Sequence, residues 1–209
     1  MIGGIDKNFQ ELLEKEFIWL PEKGIGYFPP KEGIYGKDYF KNYVRLGDTE
    51  MGKKLTAKRV DWVRQFYSNG PLVDIGIGSG CFVEQRPDTV GFDVNPFGVQ
   101  WLTERNVFAD PTNKIFFAST FWDSLEHINN PTSILDNISK YVFVSLPIFK
   151  DGEHVIRSKH FKKGEHCWYW TRQGFVSWMG KVGFMFIGHS LFEIELGREG
   201  IETFAFERV

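Results

Sequence analysis

Val73-Asp74-Ile75-Gly76-Ile77-Gly78-Ser79-Gly80 follows Leu72 and runs into Cys81-Phe82-Val83-Glu84. Leu72 to Ile75 is a short apolar run that ends in glycines, the pattern of a buried strand turning directly into a helix. Glycines at such a turn let the backbone bend tightly and come close to a ligand. A glycine pattern alone is weak, and three details sharpen it. The spacing is G-x-G-x-G, with Cys81 where a dinucleotide fingerprint has its third glycine. Asp74 stands two residues before the first glycine, where a pyrophosphate would be repelled and a cationic ligand attracted. Asp93 follows about twenty residues on, at the end of the next apolar run, where a carboxylate can accept both hydroxyls of a ribose.

Working outward, strands alternate with helices. Thr89 to Val94 is a second apolar run, and Asn95-Pro96 gives an N-cap followed by proline in the first helical turn. Ile115 to Phe121 is a third run. Asn130-Pro131 repeats the cap signal before Ile134, Leu135 and Ile138, which are read as the buried face of a helix, and Tyr141 to Leu146 is the next strand. This rhythm predicts a mostly parallel sheet covered on both faces. Phe184 to Leu196 and Glu202 to Val209 read as strands joined by Gly197-Arg198-Glu199-Gly200, a closing antiparallel hairpin, and Phe192 to Leu196 alternates with period two. Upstream, Asp48 to about Tyr67 predicts a helix capped by Asp48 or Thr49. Gly24 to Gly47 reads as an irregular arm rich in Gly, Pro and Tyr. Asp6 to Leu20 has helical period, with Phe9, Leu12, Leu13 and Phe17 on one face and Pro21 as its stop.

Composition sets the bounds. A chain of 209 residues fits one domain with a substantial core. The net charge of -2 lacks the basic excess of a general nucleic-acid binder. No run approaches the ~20 apolar residues of a membrane span, and the first residues lack a signal-peptide pattern. Cys81 and Cys167 read as free thiols of a reducing compartment, so a soluble cytoplasmic protein is expected. Aromatic residues make up 17% of the chain, enough for a Phe-rich core, an aromatic cleft, or both.

S-adenosylmethionine carries a cationic ammonium and sulfonium, which suit the carboxylate at 74. Leu72 to Glu84, Val90 to Pro96, and Thr120-Phe121-Trp122-Asp123-Ser124-Leu125-Glu126-His127-Ile128 together resemble the class I S-adenosylmethionine-dependent methyltransferases, particularly the families with a D-x-L-E-H signature after the fourth strand. The resemblance covers roughly residues 71–209. It implies one Rossmann-like domain over 1–209, with 1–47 as helix and arm and 48–209 as core. It also implies a mostly parallel seven-stranded sheet with a C-terminal antiparallel hairpin. By the same resemblance Asp74 approaches the methionine amino group, Gly76, Gly78 and Gly80 let the chain pass under methionine and ribose, and Asp93 holds the ribose. Val94 and Asn95 then lie next to the adenine, and Thr120, Phe121 and Trp122 line the far side. The stretch Phe108 to Asn113 is shorter than its counterpart in the family, and Asp110 is its only acidic candidate for the adenine amino group.

Methyl transfer from a sulfonium is an in-line displacement, in which the protein mainly positions and desolvates. Asp123, Glu126 and His127 follow the fourth strand and so have the right location. His166 follows the fifth, in a His and aromatic cluster of the kind seen in related proteins. Tyr35 and Tyr39 of the arm are candidates to fold over the cofactor. His154, His160 and His166 lack zinc-site spacing with Cys167, so no metal is expected. The absence of Asp-Pro-Pro-Tyr, Asn-Pro-Pro-Tyr and Pro-Cys motifs weakens a DNA-base substrate. The expectation is methyl transfer to an O or N atom of an acceptor, a small molecule being favoured. A non-catalytic module binding S-adenosylmethionine or S-adenosylhomocysteine is the alternative, and a nicotinamide oxidoreductase is disfavoured by Asp74 and Cys81.

Overall fold

The computed structural model describes residues 17–31 and 35–209. Its centre is a six-stranded sheet formed by β3 (Leu72–Ile75), β4 (Thr89–Phe92), β5 (Phe116–Trp122), β6 (Ile138–Pro147), β8 (Phe184–Ser190) and β9 (Ile201–Arg208), in the order β4-β3-β5-β6-β9-β8. The first four run parallel, and β9 is antiparallel to both β6 and β8. Two short strands, β1 (Ile18–Leu20) and β2 (Ile25–Tyr27), form a separate antiparallel sheet with β7 (Trp168–Trp170). The mostly parallel sheet with a reversed last strand agrees with the expected methyltransferase layout.

Both faces of the large sheet are buried, and the period of two sorts its residues. Leu72, Ala118, Phe143 and Ala205 point to one face, against Val60, Trp62 and Val63. Val73, Phe121, Val142, Val144, Phe204 and Phe206 point to the other, against Phe175, Trp178 and Met179. The first face is covered by α2 (Glu50–Phe66), which is capped by Thr49, whose hydroxyl accepts from the Gly52 amide at 3.0 Å. On the second face lies α7 (Arg172–Lys181). Among the described residues no helix is long and apolar enough to cross a membrane.

Several expectations change. The sheet has six strands rather than seven. Where a further strand would extend it beyond β4, only one bridge, Gly91 to Phe108, forms before Asp110-Pro111 turns the chain away. Of the helix expected over Asp6 to Leu20, residues 6–16 lie outside the described residues, and Ile18–Leu20 is a strand because its backbone pairs with Ile25–Tyr27. The irregular arm contains both β2 and a regular helix, α1 (Lys37–Gly47). Ile138 begins β6, and the helix before it is a single turn, α5 (Thr132–Leu135). Phe192–Glu195 is a helical turn, α8, and not the end of a strand. Phe192 and Glu193 are both buried there, which a half-buried strand with alternating faces does not allow.

Candidate active site

The order β4-β3-β5 means that the chain leaves β3 in one direction and returns on the other side of it. Ligands of open α/β sheets bind at such a reversal, beyond the carboxyl ends of the strands. Two adjoining cavities lie there, of about 300 Å³ and 330 Å³. Both are lined by Tyr43, Gly76, Gly78, Trp122 and Asp123. The first continues past Phe92, Asp93, Val94 and Asn95 to His127, Ile128 and Asn129, and the second past Asp74, Ser79, Arg59 and Arg198.

Gly76, Gly78 and Gly80 have φ of 75°, 54° and 81°, a region that glycine enters without a Cβ penalty. They differ in surroundings. Gly76 and Gly78 line the cavities, whereas a Cβ at Gly80 would meet the Trp101 ring at 2.5 Å. Gly80 therefore opens α3 (Cys81–Gln85) beneath a tryptophan and lies outside both cavities. Asp74, 1% exposed, is the next-to-last residue of β3 and accepts a hydrogen bond from Thr120 at 2.7 Å. Burial pushes its carboxyl up to about 7, against the Thr120 hydroxyl and Arg59, which favour the charged form. Asp93 accepts from the Ile77 amide at 3.1 Å and from the Asn95 amide at 2.8 Å, which fixes its carboxylate at the cavity wall. Burial raises its carboxyl above the ordinary value. Asn95 caps α4 (Pro96–Glu104), and Val94 is 67% exposed at the rim.

The remaining expected residues separate. Trp122 lines both cavities. Thr120 and Phe121 are fully buried, Thr120 beneath Asp74 and Phe121 in the core, so neither borders a cavity. Asp110 lies outside both cavities because its oxygens are taken up locally, by Thr112 N at 2.8 Å, Thr112 Oγ1 at 2.7 Å and Asn113 Nδ2 at 2.9 Å.

Residues 50–187 match the family described as Methyltransferase domain. The chain belongs to this family, within the class I S-adenosylmethionine-dependent methyltransferases. No protein of curated function matches it by sequence. Among solved structures it is similar to a SAM-dependent methyltransferase from Thermotoga maritima, with a TM-score of 0.60 at 14% identity, covering 82% of this chain and 97% of the other. An amino pentose methyltransferase from Micromonospora echinaspora, bound to SAM, gives 0.56 at 13% identity over 86% and 100%. The magnesium protoporphyrin IX methyltransferase of Synechocystis PCC 6803, also bound to SAM, gives 0.53 at 12% identity over 85% and 87%.

The methyltransferase's candidate chemical groups sit just after β5. Asp123 has φ of 54°, and its amide donates to Ser145 O at 2.8 Å. Its carboxylate lies 2.9 Å from both Arg59 and Arg198. Burial favours its neutral form, but Arg198 and Arg59 outweigh this and hold it down at about 2. A carboxylate held in two ion pairs is suited to tying elements together and poorly suited to taking a proton. A 3₁₀ turn, Leu125–His127, then brings His127 to the first cavity. Burial pulls its imidazole down to about 4, and Tyr35 Oη sits 3.0 Å from its Nδ1. His166 is buried behind it, the ring centroids 4.5 Å apart, and burial followed by His127 pulls it down to about 2.

Tyr35 and Tyr39 do reach the cavity, and α1 also brings Phe40 and Tyr43. Tyr39 Oη donates to Glu165 at 3.1 Å. Sequence reasoning missed Tyr43, Arg59 and Arg198. The i, i+4 spacing of Tyr39 and Tyr43 carried a helical signal, but Gly, Pro and Tyr content hid it. Arg59 and Arg198 are 139 positions apart and share no motif.

Proposed function

We propose that this methyltransferase moves the methyl group of S-adenosylmethionine to an oxygen or nitrogen atom of a small molecule. The observation that carries the reading is the first cavity: a mostly apolar pocket of about 300 Å³, roofed by Tyr35, Tyr39, Phe40 and Tyr43, with His127 on its wall. Asp93, Val94 and Asn95 would take the adenosine in part of this cavity, and the apolar walls and few polar groups of the remainder suit a small acceptor. A nucleic-acid acceptor is disfavoured by the net charge of -2, which lacks a basic excess. Two structural neighbours are named for small acceptors, an amino pentose and a magnesium protoporphyrin.

The residues present fit the cofactor. Asp74 is a buried carboxylate at the second cavity that no cationic side chain bonds among the described residues, and it would receive the methionine ammonium. Asp93 would accept from the ribose hydroxyls with the lone pairs its two backbone amides leave free. Val94 and Asn95 would flank the adenine, with Gly76 and Gly78 beneath the chain of the donor. When bound, S-adenosylmethionine supplies an electrophilic methyl group on a sulfonium. The protein's part is to fix the acceptor against it and to exclude water, for which Trp122, Ile128 and the α1 aromatics are suited.

Methyl-labelled S-adenosylmethionine incubated with the protein and a cell extract tests the reading. Label is expected in the low-mass fraction. Label recovered in protein or nucleic acid overturns the small-molecule assignment, and S-adenosylhomocysteine binding without any transfer supports the non-catalytic alternative instead.

A further inference from the structure

Leu125–His127 and the segment leading into β7 are joined edge to edge. Cys167 N donates to Glu126 O at 2.7 Å, Cys167 Sγ to His127 O at 3.3 Å, and Trp168 Nε1 to Ile128 O at 3.0 Å. This seam brings Glu126, His127 and His166 together, one ligand-type atom from each lying within 4.8 Å of the others. Glu126 is 1% exposed and His166 3% exposed. Neither carboxylate oxygen of Glu126, nor Nδ1 of His166, has a hydrogen-bond partner among the described residues. Buried polar atoms are nearly always paired, and three orphaned atoms in one spot call for a common partner. A cation can satisfy all three at once, as carboxylate and imidazole lone pairs.

We infer that Glu126, His127 and His166 form a binding site for a divalent transition-metal ion. The donor set is two imidazoles and a carboxylate, the combination used by His₂Glu zinc and facial-triad iron sites. Zn–N and Zn–O distances of ~2.0–2.2 Å set tetrahedral ligands ~3.3–3.6 Å apart, so atoms within 4.8 Å of one another close on an ion with shifts of up to roughly 0.7 Å each, within reach of side-chain rotation. Tyr35 Oη, 3.0 Å from His127 Nδ1, fixes the ring as the outer partners of metal-bound histidines do. Three protein ligands leave a fourth position for water or for an oxygen or nitrogen of the acceptor, with His127 as the ligand the cavity shares. The inference thus deepens the proposed function, and the acceptor class it selects is one with a metal-binding O or N.

The test is to strip the full-length protein with chelator, titrate it with Co²⁺ while following the visible d–d absorption, and displace the Co²⁺ with Zn²⁺. One equivalent is expected to bind. Glu126→Gln and His166→Ala are each expected to lower the affinity by more than the roughly 10–100-fold that removing an outer partner costs. S-adenosylhomocysteine titration of the same samples reports the cofactor site and correct folding independently, so loss of metal binding is not confused with failure of the methyltransferase reading. Absence of Co²⁺ and Zn²⁺ binding by the parent protein overturns the proposal, as does unchanged affinity in both variants.

Discussion

Asp74 is a buried carboxyl that no cationic side chain bonds among the described residues, and burial holds it at about 7. The unfolded value is ~3.9, so in the ligand-free protein Asp74 contributes stability below that pH, and the contribution is lost as pH rises through about 7. An ammonium ligand reverses the preference, because it needs the carboxylate. S-adenosylhomocysteine affinity is therefore expected to climb as pH passes from about one unit below 7 to one unit above, with a proton released on binding at the lower end. Calorimetry in two buffers of different ionisation enthalpy measures that proton, and Asp74→Asn should flatten the profile. Thr120→Val removes the hydroxyl that favours the charged form, so it should move the rise to higher pH. A profile unaffected by either change removes Asp74 from the ammonium site. At this scale a carboxylate's place beside the cleft was legible from the strand-end pattern, as for Asp74 and Asp93, which line the cavities. It was not where a carboxylate satisfies itself locally, as in the turn of Asp110, whose oxygens Thr112 and Asn113 occupy.

Elements were legible where burial and caps agree. Leu72–Ile75 is a strand with the bounds its apolar run predicts, and α4 starts at the Asn95-Pro96 signal. The misread elements are those decided by distant partners. The alternation of Phe192 to Leu196 fits a strand, but Glu193 is drawn inward by Arg59, whose Nε lies 2.9 Å from it, and by Arg198, so the chain coils instead. Asn95 illustrates how one cap links two elements. Its Oδ1 accepts from Phe97 N at 3.0 Å, while its Nδ2 donates to Gly36 O at 3.1 Å, at the start of α1. Asn95→Ala is expected to cost about 1 kcal/mol. Asn95→Ser keeps a capping acceptor and sets no oxygen against Gly36 O, so it should recover part of that loss. Urea unfolding checks both, through a lower midpoint at constant slope. Equal midpoints for Ala and Asn would mean that the cap carries none of the helix's stability.

The cleft as a whole is assembled from chain segments far apart: 35–43 of the cover, 74–78 and 92–95 beyond β3 and β4, and 122–129 after β5. The cover is tied down by Tyr35 against His127, by Tyr39 on Glu165 and by Gly36 on Asn95, while upstream β2 pairs with β7. The pairing of β2 with β7 joins positions more than a hundred residues apart, and Glu126 and His127 lie about forty residues from His166, so no local pattern announces either meeting. A ligand seated in the cleft bonds to several of these segments at once and to none of them in the unfolded chain. S-adenosylhomocysteine at about 100 times its Kd should therefore add roughly 2.7 kcal/mol to stability. For a chain of this length that corresponds to a rise of roughly 5–10 °C in the unfolding midpoint. Scanning calorimetry measures the rise, and amide exchange locates it. Protection should increase over α1 and Gly76–Gly78, while the edge strand β8, which borders neither cavity, exchanges as before. An unmoved midpoint at saturating ligand, or protection gained at β8 without any at α1, would place the cofactor somewhere other than this cleft.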